Sequence, residues 1–340
     1  MRAVVIHAPG DVRVEDVEKP TIAQPTDAII EVKAACVCGS DLWPYRGAED
    51  VDSGAQMGHE YVGVVSEIGD DVRDVQPGDW VVGSFVASCG TCDICKAGYE
   101  SGCINRVFMG SVGTQAEFAR IPHADGTLVK LPSPPTDEQL RHVLAASDVL
   151  GTGWFGAVAA EVGPGKTVAV VGDGAVGLSA VLAAKQLGAK RIIVSSRHPQ
   201  RQNLARQFGA TDILEERGEE FAEKVREMTE GYGAHCAVEA VGTDEAMQQA
   251  MKSTRRGGHV GFVGVSHDVT IEGIKMFISM VHLHGGPALV RRFLPELIDL
   301  IYSGAISPGD VFDLTLPLSD APRGYDAMDK REAIKVMHTP

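Results

Sequence analysis

A strand-like run from 166 to 171, apolar from Val168 on, leads directly into Gly172-Asp173-Gly174-Ala175-Val176-Gly177, and a stretch of helical character from 175 to 187 leads out of it. No other feature of the chain restricts its fold as much. A G-x-G-x-x-G set between a strand and a helix uses its first glycine for a tight turn and its second to let a pyrophosphate approach the backbone. The third lets the helix pack closely on the strand. The helix N-terminus then offers unpaired N–H groups and the positive end of its dipole to phosphate. Gly172, Gly174 and Gly177, with the backbone of Ala175 and Val176, are therefore candidate dinucleotide-binding positions. The same alternation continues through strand-like runs at 191–195, 235–241 and 259–263. That pattern predicts an α/β unit built on a doubly wound parallel sheet.

The end of the second strand addresses the type of dinucleotide. An NAD site places an Asp or Glu about 20 residues after the glycines to accept from the adenosine ribose hydroxyl. Ser196 stands there, followed by Arg197, His198 and Arg201. A hydroxyl and guanidinium groups suit a 2′-phosphate, whereas a carboxylate would repel it. The expectation is NADP(H), with Ser196, Arg197 and Arg201 holding the phosphate. The alternative is that both arginines are solvated residues opening a helix.

Before residue 150 the chain has a different character. Short β-type runs such as 28–32 and 61–65 are separated by Gly, Pro and Asp, which suggests a small barrel or sandwich. Cys89, Cys92, Cys95 and Cys103 follow a C-x2-C-x2-C-x7-C spacing, so four thiolates can close a tetrahedral shell around one Zn²⁺ inside a compact loop. A pair of disulfides is the competing reading, but a chain of 340 residues needs no such stapling to build a core. Upstream, Cys38 and Gly58-His59-Glu60 supply two soft ligands from separate segments. A metal held there needs a third protein group and can keep a position open for chemistry.

With 31 basic and 46 acidic side chains the net charge is −15, which disfavours non-specific nucleic-acid binding. No basic stripe is interleaved with aromatics, so nucleic acid is not an expected partner. No apolar stretch reaches the ~18 residues of a membrane span. The first strand-like run, Ala3-Val4-Val5-Ile6, follows Met1-Arg2 without a recognisable leader, so the expected compartment is the cytoplasm.

Taken in order, Cys38-Gly39-Ser40-Asp41, Gly58-His59-Glu60, the four-cysteine lobe and Gly172 to Gly177 resemble the zinc-dependent alcohol dehydrogenases of the medium-chain dehydrogenase/reductase family, over nearly the whole chain. Ser195-Ser196-Arg197 followed by Pro199 is most similar to the NADP-dependent secondary alcohol dehydrogenase branch, while polyol and amino-alcohol dehydrogenases share much of the pattern. The resemblance implies a GroES-like β-rich catalytic domain, 1–149 and 287–340, with the zinc lobe at about 89–103. It implies a Rossmann domain inserted at 150–286, an active site in the cleft between the two, and a homodimer or homotetramer.

On that resemblance Asp148 supplies the third ligand of the catalytic zinc, although an Asp before a helix can also be a cap. Glu60 is a fourth or exchanging ligand, or a carboxylate behind the ligands. Ser40 hydrogen-bonds the substrate oxygen and passes on its proton. Many members carry a relay histidine five residues after the ligand cysteine; Trp43 stands there in this chain. Trp43, Phe85 and Phe108 are candidate pocket walls. The resemblance further places Val241, Val263 and Val265 beside the nicotinamide half of the cofactor and Lys335 at its pyrophosphate. Cys36 and Cys236, in apolar runs, are read as core residues, and His282 and His284 carry no assigned chemistry. Two other readings remain open: a zinc-free enone or quinone reductase on the same fold, against which the ligand triad speaks, and a non-catalytic zinc-stabilised nucleotide sensor.

Overall fold

The computed structural model describes residues 1–340 as two compact units, Met1–Asp148 with Leu289–Pro340, and Val149–Ala288. The first unit is β-rich. Strand Ala28–Cys36 pairs antiparallel with Tyr61–Ile68 and with Phe118–Ile121, and its far end pairs with Val336–Thr339. Trp80–Gly83, Leu128–Lys130 and Leu314–Pro317 complete this seven-stranded sheet. A three-stranded sheet is built from Arg2–Ala8, Asp11–Asp16 and Ala55–Gln56.

Strand Ala28–Cys36 buries nearly every residue, because neighbours cover both of its faces; only Glu31 is exposed. Its side chains join those of Tyr61, Val65, Val81 and Ile121 in one apolar cluster. A second cluster gathers Val4, Ile6, Val37 and Leu42 with Leu316, Tyr325 and Val336, so the later segment of the unit is fastened to the earlier one by shared core.

The second unit is a six-stranded parallel sheet in the spatial order Asp212–Leu214, Arg191–Ser195, Thr167–Val171, Ala234–Glu239, Thr254–Phe262, His282–Gly285. The chain builds outward from Thr167–Val171 on one side and then on the other. The strand order therefore reverses at the end of Thr167–Val171, where ligands of such sheets bind. Val168 to Val171 are buried on both faces, as expected of a central parallel strand covered by helices.

Helix Ala175–Gln186 opens with Gly174 as its N-cap residue and runs back over the sheet. Its contact with the strand end is close: a Cβ on Gly177 would lie 2.1 Å from the carbonyl oxygen of Gly172, which itself holds φ at +117°. Helix Val290–Tyr302 belongs to the first unit, with Pro295 inside its first turns and Val290, Phe293, Leu294, Leu297, Ile298 and Ile301 buried.

Replacing Gly177 by Ala should separate helix from strand and lower stability by about 1–3 kcal/mol, the usual cost of forcing atoms into a packed contact. Thermal unfolding of the variant should show the loss, and an unchanged Tm would mean that the turn relaxes without strain.

Candidate metal centres and dinucleotide site

Two clusters of metal-type ligands lie in the first unit. Cys89, Cys92, Cys95 and Cys103 have their sulfur atoms within 4.8 Å of one another. The separations are 3.4 Å for Cys89 and Cys103, 3.5 Å for Cys92 and Cys95, and 3.9 Å for Cys92 and Cys103. A disulfide would bring two sulfurs to about 2.05 Å. All four are free thiols, and a tetrahedron with Zn–S bonds of about 2.3 Å has edges of about 3.8 Å, near the spacings found.

Backbone N–H groups of Cys89 and Asn105 donate to the Cys103 sulfur, as is common around thiolates. Burial raises the Cys89 thiol, but hydrogen bonds from Thr91 and from the Cys92 backbone together draw it down to about 5. Burial and then the neighbouring Cys92 and Cys103 push Cys95 up to about 12. Thiols this close do not all ionise unless a cation shares their charge, so the set fits a divalent, thiophilic metal.

The second cluster is built from three segments. Cys38 follows strand Ala28–Cys36, His59 and Glu60 immediately precede strand Tyr61–Ile68, and Asp148 follows helix Asp137–Ala146. Ser147 ties the last segment down: its hydroxyl accepts from the Tyr61 backbone N–H at 3.1 Å and donates to the Gly83 carbonyl at 2.8 Å. Gly58 holds φ at +94°, and a Cβ there would meet the Gln115 side chain at 2.5 Å, so His59 reaches its place only because a glycine precedes it.

The result is four buried groups, Cys38, His59, Glu60 and Asp148, whose ligand atoms lie within 4.8 Å. Asp148 Oδ2 is 3.6 Å from Cys38 Sγ and 3.3 Å from His59 Nε2. Bonds of about 2.0–2.3 Å in tetrahedral array require ligand separations of about 3.3–3.8 Å, so these three groups sit as edges of one coordination shell. Asp148 faces the thiol and the imidazole.

The surroundings orient the cluster. Asp41 Oδ1 lies 3.3 Å from His59 Nδ1, which leaves Nε2 for the shared centre, and Asp41 Oδ2 accepts from the Cys38 backbone N–H and from Gln115 Nε2. Gln115 in turn accepts from the Tyr325 hydroxyl at 2.9 Å. A carboxylate behind a ligating imidazole fixes its tautomer and ring plane. Burial works against a charged His59, yet Asp41, Cys38 and Asp148 together hold its pKa well above the ordinary histidine value. Burial, followed by Asp148 and Glu60, raises the Cys38 thiol. The cluster is thus rich in anionic donors and suited to a divalent cation.

Glu60 is fully buried, and its pKa is raised by burial against the pull of Lys335. Lys335 Nζ donates to Glu60 Oε1 at 2.6 Å and to the Val37 carbonyl at 3.2 Å. The pyrophosphate role expected for Lys335 meets a different placement: the side chain is 1% exposed and serves as the counter-ion of Glu60. The parts that Asp41, Gln115 and Lys335 play in this network are not visible in the sequence. Only Asp41, three residues after Cys38, carried a local signal, and it reads equally as a helix cap.

Ser40 Oγ lies 3.5 Å from His59 Nε2. Phe85 stands edge-on to the His59 ring at 6.3 Å and Phe108 tilts over it at 5.3 Å, so both expected wall residues flank the cluster. Trp43 is half-buried in the short helix Leu42–Tyr45. Cys36 is buried, as expected of a core residue.

In the second unit the glycine turn presents Gly174 with nothing within 4 Å of where a Cβ would stand, an open cradle at a helix N-terminus that fits a pyrophosphate. Val241 and Val265 are exposed, beyond the ends of strands Ala234–Glu239 and Thr254–Phe262, with Val263 between. Glu239, unremarked in the sequence, is buried beneath them and accepts from the backbone N–H groups of Val241 and Gly242, each at 2.8 Å. Ser196 is buried and its hydroxyl donates to Asp173 Oδ2 at 2.8 Å; Arg201 pairs with Asp173 Oδ1 at 3.2 Å. Arg197 is exposed and its Nε donates to the Glu215 carbonyl.

The family described as "Alcohol dehydrogenase GroES-like domain" matches residues 24–133, and that described as "Zinc-binding dehydrogenase" matches residues 175–289. Zinc-type alcohol dehydrogenase B of Aspergillus flavus is 34% identical, over 99% of this chain and 81% of its own length. The solved alcohol dehydrogenase TADH from Thermus sp. ATN1 superposes with a TM-score of 0.92 at 35% identity, covering 100% of this chain and 99% of that one. A zinc-binding dehydrogenase from Sinorhizobium meliloti 1021, solved bound to NADP, gives a TM-score of 0.83 at 27% identity, with 100% and 99% covered.

Two disjoint ligand sets imply about two zinc ions per chain. Cys92→Ser should leave about one, and should lower Tm, because a closed four-thiolate site contributes to folding. Asp148→Asn keeps the shape but removes a charge, so the second zinc should be stripped by a chelator at least tenfold faster, on the order of a lost metal-orienting group. Elemental analysis and thermal unfolding of Cys92→Ser, and zinc content of Asp148→Asn followed over time in chelator, check these outcomes.

Proposed function

Because the chain belongs to the zinc-binding alcohol dehydrogenases of the medium-chain dehydrogenase/reductase family, we propose that it transfers hydride reversibly between an alcohol, foremost a secondary alcohol, and NADP(H). The observation that carries this reading is the buried cluster of Cys38, His59, Glu60 and Asp148, with separations suited to one tetrahedral ion.

Cys38, His59 and Asp148 hold the catalytic zinc, and Glu60, poised within reach on its bond to Lys335, is the fourth or exchanging ligand. Zn²⁺ bound there supplies Lewis acidity, which eases deprotonation of a hydroxyl and polarises a carbonyl. The nicotinamide supplies the hydride acceptor or donor. Ser40 Oγ hydrogen-bonds the substrate oxygen and relays its proton, giving its own hydroxyl proton to water as it accepts the substrate's, and the reverse in the other direction; with Trp43 in place of a relay imidazole, the proton leaves from a half-buried serine. Phe85 and Phe108 favour substrates with apolar substituents beside the carbinol carbon. Cys89, Cys92, Cys95 and Cys103 hold the structural zinc.

A zinc-free enone or quinone reductase would have no use for the Cys38, His59 and Asp148 cluster, which supports the alcohol dehydrogenase reading over it. The dinucleotide lies on Gly172, Gly174, Ala175, Val176 and Gly177, with Val241, Val263 and Val265 beside the nicotinamide half. The helix Gly273–Ser279 buries none of its residues, and Ile274, Phe277 and Ile278 on it and Met280 after it are exposed, which supports association into a homodimer or homotetramer. No helix is long and apolar enough to cross a membrane.

The preference for NADP(H) is carried by Arg197 and Ser196, with support from the NADP-bound relative. A charge-assisted contact contributes roughly 1.5–3 kcal/mol, so Arg197→Ala should cut kcat/KM for NADPH by about 10- to 150-fold and leave NADH little changed. Combining Ser196→Asp with Arg197→Ala should invert the preference. A substrate panel followed by nicotinamide absorbance measures both. Equal loss with the two cofactors would assign Arg197 to the solvated surface and remove the NADP(H) assignment.

A further inference from the structure

Between the glycine turn and the end of strand Arg191–Ser195 stands one more ionisable group, Asp173, the second residue of the turn. One oxygen accepts from the Ser196 hydroxyl at 2.8 Å, and the other pairs with Arg201 Nη1 at 3.2 Å. The Arg201 and Asp173 side chains are 16% and 14% exposed, so the pair is mostly shielded from water and its charges act on each other and on whatever is bound beside them. Arg197 is oriented separately, through its bond to the Glu215 carbonyl.

We propose that Asp173 is a specificity-determining residue at the adenosine end of the dinucleotide site, cancelling Arg201 and so limiting how strongly a 2′-phosphate is preferred over a 2′-hydroxyl. Three groups reach this spot by different routes: Ser196 from the strand end, Arg201 from the first turns of helix Pro199–Phe208, and Asp173 from the glycine turn. Where an NAD site has a carboxylate at the strand end, this chain has Ser196 and brings a carboxylate in from the opposite wall. That carboxylate engages the one hydroxyl and one of the two guanidinium groups that would otherwise serve a phosphate. The local charge from Asp173, Arg197 and Arg201 is then that of a single cation, and a dianionic phosphate meets an anion as well as its partners. Specificity set by such a repulsive element can be changed without touching any attractive contact.

This inference rests on the dinucleotide reading of the glycine turn and deepens it. Asp173→Asn removes the charge and keeps the shape, with its amide oxygen left as acceptor for Arg201 and its NH2 as donor to the Ser196 hydroxyl, which can also accept. Calorimetric titration of the purified full chain with 2′-phospho-ADP-ribose and with ADP-ribose gives two dissociation constants for each protein, and their ratio is the readout.

The ratio should move toward the phosphorylated ligand by about tenfold in Asp173→Asn, the order expected when one like charge is taken from a phosphate site. Adding Arg201→Gln should abolish that gain, and raising salt should shrink it. A ratio that stays put, or moves toward ADP-ribose, overturns the role of Asp173. A wild-type chain that binds ADP-ribose the more tightly overturns the NADP(H) preference instead, whichever way the variant moves. If Asp173→Asn fails to fold, Asp173→Ser, which keeps a partner for Ser196, allows the same comparison.

Discussion

The β-rich unit is organised around one electrostatic requirement: a thiol, an imidazole and two carboxyl groups are buried together, and each needs a partner. Cys38, His59, Glu60 and Asp148 are all at most 9% exposed. Removing such groups from water costs several kcal/mol each unless hydrogen bonds and opposite charge compensate. Asp41 faces the outer nitrogen of His59, Lys335 answers Glu60, and the remaining donors converge on one point. The packing follows from this: Gly58 gives room for His59, Ser147 anchors Asp148, and Gln115 braces Asp41 against Tyr325.

The parallel unit solves a different problem with backbone rather than side chains. Its central strand ends at a reversal of strand order, and the turn that follows leaves N–H groups and open space where a pyrophosphate can rest. Side chains enter only at the edges, where Ser196, Arg197 and Arg201 meet Asp173, and where Glu239 pins the Val241-Gly242 turn from below. Charge at those edges can be exchanged without rebuilding the fold, which is why selectivity between closely related dinucleotides can reside in so few atoms.

The legible part of the sequence was whatever is local. Gly172 to Gly177 declare a strand, a turn and a helix within a dozen residues, and the four cysteines of the lobe lie close enough along the chain for their spacing alone to describe a shell. Cys38 and His59 were legible as ligand types and Asp148 through family resemblance, although they come from three segments. Lys335 was not legible in this way. Nothing near residue 335 reveals that its ammonium meets Glu60 and the Val37 carbonyl, because that contact depends on the pairing of Val336–Thr339 with Ala28–Cys36. Asp173 was hidden for a related reason: a variable position in a glycine motif looks like a spacer until the fold sets it against Ser196 and Arg201.

The bond between Lys335 and Glu60 spans 275 residues of chain. During translation the first half of the β-rich unit emerges long before the strand that completes its sheet, and the whole parallel unit is synthesised in between. Local contacts form early and distant ones late. The parallel unit can therefore adopt its structure while the nascent chain still carries Glu60 with no counter-ion and strand Ala28–Cys36 with its far end unpaired on one side. An exposed strand edge beside an uncompensated carboxyl group is a vulnerable intermediate, open to wrong pairing with other chains. In this polypeptide the completion of the metal pocket thus waits for a segment synthesised after the whole parallel unit.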